Sequence, residues 1–221
     1  MTGKPMRYAL IPMLALVAPA LATSLLIDIR KDNPTLACGD LGPDTFYFPR
    51  DTFRSPEDED GRGDELFRNW FSPHLASMGE PSFTCGAVIE GDSIRFLWLR
   101  SFDQPVMIRV SHQDGAYLLT AIVMNGMGGY PDTKDVAQRI DRAVSEDDWR
   151  ALAANLALIR FQDMPSTALG GGADGSEWII ETSMQGEHHV AARWMGGHGL
   201  RQIGLLLLTL SGLSIPPDDI Y

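Results

Sequence analysis

Short apolar runs punctuated by turn-forming residues fill the middle of the chain. Strand-like stretches fall at 84–89, 93–102, 106–111 and 117–124, separated by Glu90-Gly91-Asp92, Asp103-Gln104 and Gln113-Asp114-Gly115 at hairpin spacing. They predict an antiparallel meander, and 138–144 supplies a further strand after a glycine-rich loop at 125–131. Helical spacing appears three times. Leu66, Phe67, Trp70 and Phe71 predict a short amphipathic helix that Ser72-Pro73 closes. Ser145 and Asp148 form a capping box that opens a helix over 146–159, with Trp149, Leu152, Ala153, Leu156 and Ile159 on one face. The last helix, 200–210, is apolar nearly all round but too short to span a bilayer, so it packs on the sheet.

A second hairpin is expected at 176–182 and 187–194. Period-two alternation puts Trp178 and Ile180 on one face and Glu177 and Glu181 on the other. On the return strand Val190, Ala192 and Trp194 share a face, opposite His189 and Arg193. Matching apolar with apolar calls for a three-residue loop, Met184-Gln185-Gly186, and in that register Glu181 faces His189 while Glu177 faces Arg193 across a polar surface. The fold class is therefore α+β: an antiparallel β-meander plus a second β-hairpin, packed by two or three helices.

The N-terminus changes the setting. Lys4 and Arg7 precede an apolar run from Ala9 to Ala18, and Ala20-Leu21-Ala22 offers small residues where a signal peptidase needs them. Residues 1–22 thus read as a signal peptide, 23–65 as a loop-rich lead-in ending in an acidic loop, and 66–221 as one α+β domain. The expected location is periplasmic or secreted, with no stable membrane insertion after cleavage. Cys38 and Cys85 would then meet an oxidising compartment and form a disulfide, which the chain-entropy model values at about 4 kcal/mol.

The full chain carries 18 Lys plus Arg against 29 Asp plus Glu, a formal charge of −11. Losing Lys4 and Arg7 with the signal removes two positive charges, so the mature chain stands at −13. Such a charge disfavours nucleic acid and anionic lipid and favours a basic protein partner. The acidic stretch at 57–65 predicts a solvated, mobile loop. Calcium is weighed there and set aside, because Arg62 and Leu66 stand where liganding oxygens are needed, and no metal or cofactor is expected.

Familiar catalytic signatures are absent. There is no Gly-x-Ser-x-Gly, no His-Glu-x-x-His and no phosphate loop, and Gly91-Asp92-Ser93 lacks the later Asp-x-x-His block of GDSL-type esterases. Glu181 with His189 is the catalytic candidate, and Glu177, Glu181, His189 and Arg193 form the candidate binding set; ordinary cross-strand charge pairs explain them equally. The five tryptophans read as core.

The runs Arg95-Phe96-Leu97-Trp98-Leu99-Arg100-Ser101-Phe102 and Asp174-Gly175-Ser176-Glu177-Trp178-Ile179-Ile180-Glu181 stand out. With His189-Val190, Arg193-Trp194 and Ile220-Tyr221, they make about residues 66–221 resemble a family of exported bacterial proteins of uncharacterised activity. The resemblance implies export and a single domain. Expected function is a periplasmic binding or inhibitory, immunity-type protein for a basic partner; an envelope hydrolase using Glu181 and His189, or a structural envelope component, are the alternatives.

Overall fold

The computed structural model describes residues 47–84, 91–130, 135–168, 171–172, 174–197 and 199–221. The expected signal peptide at 1–22, Cys38, Cys85 and most of the strand expected at 84–89 lie outside the described residues. In chain order the elements are α1 (Arg62–Ser77), β1 (Asp92–Arg100), β2 (Val106–Gln113), β3 (Ala116–Met124), β4 (Val136–Ala143), α2 (Glu146–Leu158), β5 (Ser176–Met184), β6 (Glu187–Trp194) and α3 (Leu200–Ser211). The six strands form one antiparallel sheet in the order β4-β3-β2-β1-β5-β6, so the meander and the second hairpin join edge to edge through β1 and β5. This is the α+β architecture the pattern predicts. Among the described residues no helix is long and apolar enough to cross a membrane.

Alternation along the central strands feeds two separate cores. On one face Phe96, Trp98, Ile108, Ala121, Trp178 and Ile180 pack under α2 and α3. Gly204 lets α3 approach closely, because a Cβ there would meet the Trp178 ring at 2.5 Å. The indole N–H groups of Trp98 and Trp178 reach the backbone oxygen of Tyr221 at 3.2 and 3.1 Å and close this layer. On the other face Leu97, Leu99, Met107, Ile122 and Ile179 pack against Phe71 and Leu75 of α1 and against Tyr47, Phe48 and Phe53. Residues before 66 therefore contribute buried side chains to the domain, rather than merely leading into it.

The ends of the helices follow local chemistry. Ser145 and Asp148 make the reciprocal cap at the start of α2, as their spacing predicts. Helix α1 differs from expectation at both ends. It begins at Arg62, inside the acidic stretch, where the Asp58 carboxylate accepts from the backbone N–H of Gly63 and Asp64. Those hydrogen bonds hold the Asp58 carboxyl below the usual carboxylate range. Asp64 is buried and accepts from the N–H of Asp51 and Phe53 and from Arg68, so part of the acidic stretch is a folded joint instead of a solvated loop. The helix also runs through Pro73 to Ser77, because burial of His74 and Leu75 outweighs the backbone bond a proline forfeits.

Candidate functional site

The C-terminus of α1 positions the first member of a buried ionic cluster. Gly79, with φ 67°, donates to the Ala76 carbonyl, and Glu80 N–H donates to the Leu75 carbonyl, a Schellman stop that turns the chain toward the sheet. Glu80 arrives over β1 and β2. There Arg109 reaches its two carboxylate oxygens at 2.8 and 3.3 Å, and Arg95 lies 3.5 Å away. The hydroxyl of Tyr47 donates to the Glu80 carbonyl at 2.6 Å and holds the turn in place.

Arg95 is the hub. It sits 1% exposed in the middle of the sheet, opposite Arg109 on β2 and Glu181 on β5. Its guanidinium forks onto Glu181 through Nε and Nη2, donates to the Pro81 carbonyl at 2.6 Å, and lies 4.1 Å from the Phe83 ring centroid. Burial alone would raise the Glu181 carboxyl; Arg95 and a hydrogen bond from His188 pull it below its ordinary value. Glu181 Oε1 lies 2.8 Å from His188 Nε2, and the His188 ring is partly exposed. Ser183 stands opposite His188 across the hairpin, and next to it Ser93 donates to Ser111 at 3.2 Å.

The hairpin turns on two residues, Gln185 and Gly186, both with positive φ, and not on three. The shorter turn shifts the register by one. Glu181 pairs with Val190 and Thr182 with His189; Glu177 pairs with Trp194 and Trp178 with Arg193. The expected facing pairs Glu181 with His189 and Glu177 with Arg193 are thus corrected, and each candidate pair is divided between opposite faces. The reason is physical. Matching a single apolar face assumed that the other was solvated, whereas β5 is covered on both sides, and the observed register pairs Ile179 with Ala192 and Ile180 with Ala191, serving both cores together.

His189 packs edge-on against Phe161 at 4.9 Å, and burial, followed by the charge of His188, pushes its pKa below the usual value. Arg193 donates to the Pro165 and Ser166 carbonyls and fixes the segment that covers β6. Glu177 lies on the α1 side with its carboxyl pushed up to about 8 by burial, partly offset by Arg193. No family model matches the chain, and no curated protein matches it.

Among the described residues no group of three or more His, Cys, Asp or Glu is placed to hold a metal ion. Ser93 of the Gly91-Asp92-Ser93 run is fully buried and Asp92 accepts from the Gln185 N–H at 2.7 Å, so this run ties strands together. Glu80, Arg95, Arg109 and His188 escaped the sequence reading. Arg95 carried a usable signal: it shares the parity of Leu97 and Leu99, so a doubly buried β1 takes it inside.

Proposed function

We propose that this is an exported binding or inhibitory protein whose acidic surface docks a basic protein partner. One observation carries the reading. Among the described residues the buried side chains Arg68, Arg95, Arg100 and Arg193 stand against Asp64, Glu80 and Glu181, with Glu177 holding its proton at neutral pH, so the interior carries no acidic excess. The acidic excess of the described residues therefore lies at their surface, where it acts on partners at a distance. A carboxylate-rich exterior around a core without acidic excess supports steering of a cation-bearing surface, with an association rate that falls as salt rises. The test is capture from envelope extract with the mature protein as bait. Recovery of basic proteins that elute with rising salt is the expected result; neutral or acidic partners, or salt-indifferent binding, would overturn the reading.

A second reading, an envelope hydrolase, draws support from the Glu181–His188 pair. A carboxylate kept ionised beside a partly exposed imidazole can orient it as a base. In this form His188, and not His189, partners Glu181. Ester hydrolysis by the purified protein that His188→Ala abolishes and His189→Ala spares would favour it, and absence of turnover on activated esters would count against it.

A further inference from the structure

Two loops at one end of the sheet hold apolar side chains out of the protein instead of burying them. Phe102, between β1 and β2, is 60% exposed, and Met127 and Tyr130, between β3 and β4, are 42% and 54% exposed. Leu66 of α1, also exposed, lies one turn before Trp70, whose indole N–H donates to the Gly128 carbonyl at 2.7 Å and so joins α1 to the same surface. Scattered apolar residues need no explanation, but exposed ones gathered on two loops and a helix that touch one another do.

The display is built rather than accidental. Gly128 and Gly129 lie flat on the end of β1, so close that a Cβ on Gly128 would stand 2.5 Å from the Arg100 nitrogen and one on Gly129 2.8 Å from the Ser101 oxygen. Gly128 N–H donates to the Asp103 carbonyl at 2.9 Å, and Asn125 N–H to the Asp135 carbonyl at 2.8 Å. Residues 125–130 are thus pinned on both sides while the side chains of Met127 and Tyr130 face solvent. Carboxylates neighbour the group along the chain: Glu65 beside Leu66, Asp103, which accepts from the Tyr221 hydroxyl at 2.6 Å, beside Phe102, and Asp135 just before β4. Arg100 is buried with its guanidinium on the carbonyls of Asp219 and Gln104; its charge acts on Asp103, leaving Glu65 and Asp135 as the stronger attractants.

We infer that Phe102, Met127, Tyr130 and Leu66 form the docking surface for the basic partner, which meets it with an amphipathic segment whose apolar side chains insert among these four while its Lys or Arg side chains meet Glu65, Asp103 and Asp135. This rests on the binding-protein reading and deepens it. Apolar anchors beside charges of one sign recognise an apolar stripe flanked by charges of the other, and the pinned backbone at Gly128 and Gly129 loses little freedom on binding.

A synthetic Leu/Lys amphipathic helical peptide is the probe, titrated onto the mature protein by calorimetry beside a Leu/Gln peptide of the same pattern and a Lys/Gln peptide of the same charge. The Leu/Lys peptide is expected to bind most tightly, with Phe102→Ser and Tyr130→Ser each weakening it about tenfold. Leu158→Ser, at an exposed leucine on α2, should leave it unchanged. Equal binding of the Leu/Lys and Lys/Gln peptides, insensitive to the two serine variants, would overturn the docking surface while leaving the acidic-binder reading intact. Equal binding of the Leu/Gln peptide would overturn the basic partner, and no binding by any peptide would overturn the inference outright. A dimer in sedimentation that Phe102→Ser dissociates would assign the surface to a second copy of this chain and overturn it as well.

Discussion

Gly204 of α3 lies over the six-membered ring of Trp178, and a Cβ there would stand 2.5 Å from one ring carbon and 2.9 Å from Phe96. In an exposed helix Gly→Ala gains about 1 kcal/mol from propensity, but overpacking a rigid aromatic layer costs about 1–3 kcal/mol. Gly204→Ala is expected to destabilise the fold despite the better helix former. Urea unfolding followed by tryptophan fluorescence checks the sign, and a more stable variant would show that α3 can shift outward freely.

Removing Arg95 leaves Glu181 buried without its main counter-charge. Arg95→Met is expected to cost about 3–5 kcal/mol. The double variant Arg95→Met with Glu181→Leu should recover a large part of that loss, because two apolar side chains need no compensation. Single-variant and double-variant midpoints in urea give the coupling. In the wild type the depressed Glu181 carboxyl contributes stability above its unfolded pKa, and that contribution fades as pH falls through the folded value.

Glu177 behaves in the opposite sense. Its folded-state pKa of about 8 lies above the ordinary carboxyl value, so the folded chain holds a proton that the unfolded chain releases near pH 4. Its contribution is fully present below the unfolded pKa and is lost as pH rises toward 8, at about 1.4 kcal/mol per pH unit. Glu177→Gln should therefore match the wild type near pH 4 and gain on it steadily toward pH 8. A constant offset across that window in thermal melts would contradict the assignment.

The capping box of α2 is a simpler case. Ser145 Oγ accepts from the Asp148 N–H at 3.1 Å, and Asp148 accepts from the Ser145 N–H at 3.0 Å. Ser145→Ala is expected to cost about 1 kcal/mol. Ser145→Asp, which can still accept from the N3 amide, should restore most of it in the same denaturation assay.

Much of the fold was legible because its signals are local. Ser145 with Asp148 announced α2, and the polar turns between β1, β2 and β3 announced the meander. Strand pairing in the second hairpin was not legible, because register depends on what covers each face, and the covering side chains come from α1 and from Tyr47 through Phe53, far away in sequence. For the same reason alternation alone sets His189 opposite Glu181, whereas Val190 stands there and His188 makes the hydrogen bond. Pro73 misled for a different reason: it marks a local cost, and the burial of His74 and Leu75 that outweighs it is a tertiary effect.

In β1, Phe96 and Trp98 point to one side and Arg95, between Ser93 and Leu97, to the other, and this bears on how the chain reaches its native state. A one-residue slip of β1 against β5 would turn the Arg95 guanidinium onto the face of Trp178 and leave Phe96 and Trp98 on the face of Glu181. Misaligned sheets are therefore rejected by their own side chains, so assembly is proofread at its centre while the outer strand β4, exposed along both faces, stays permissive.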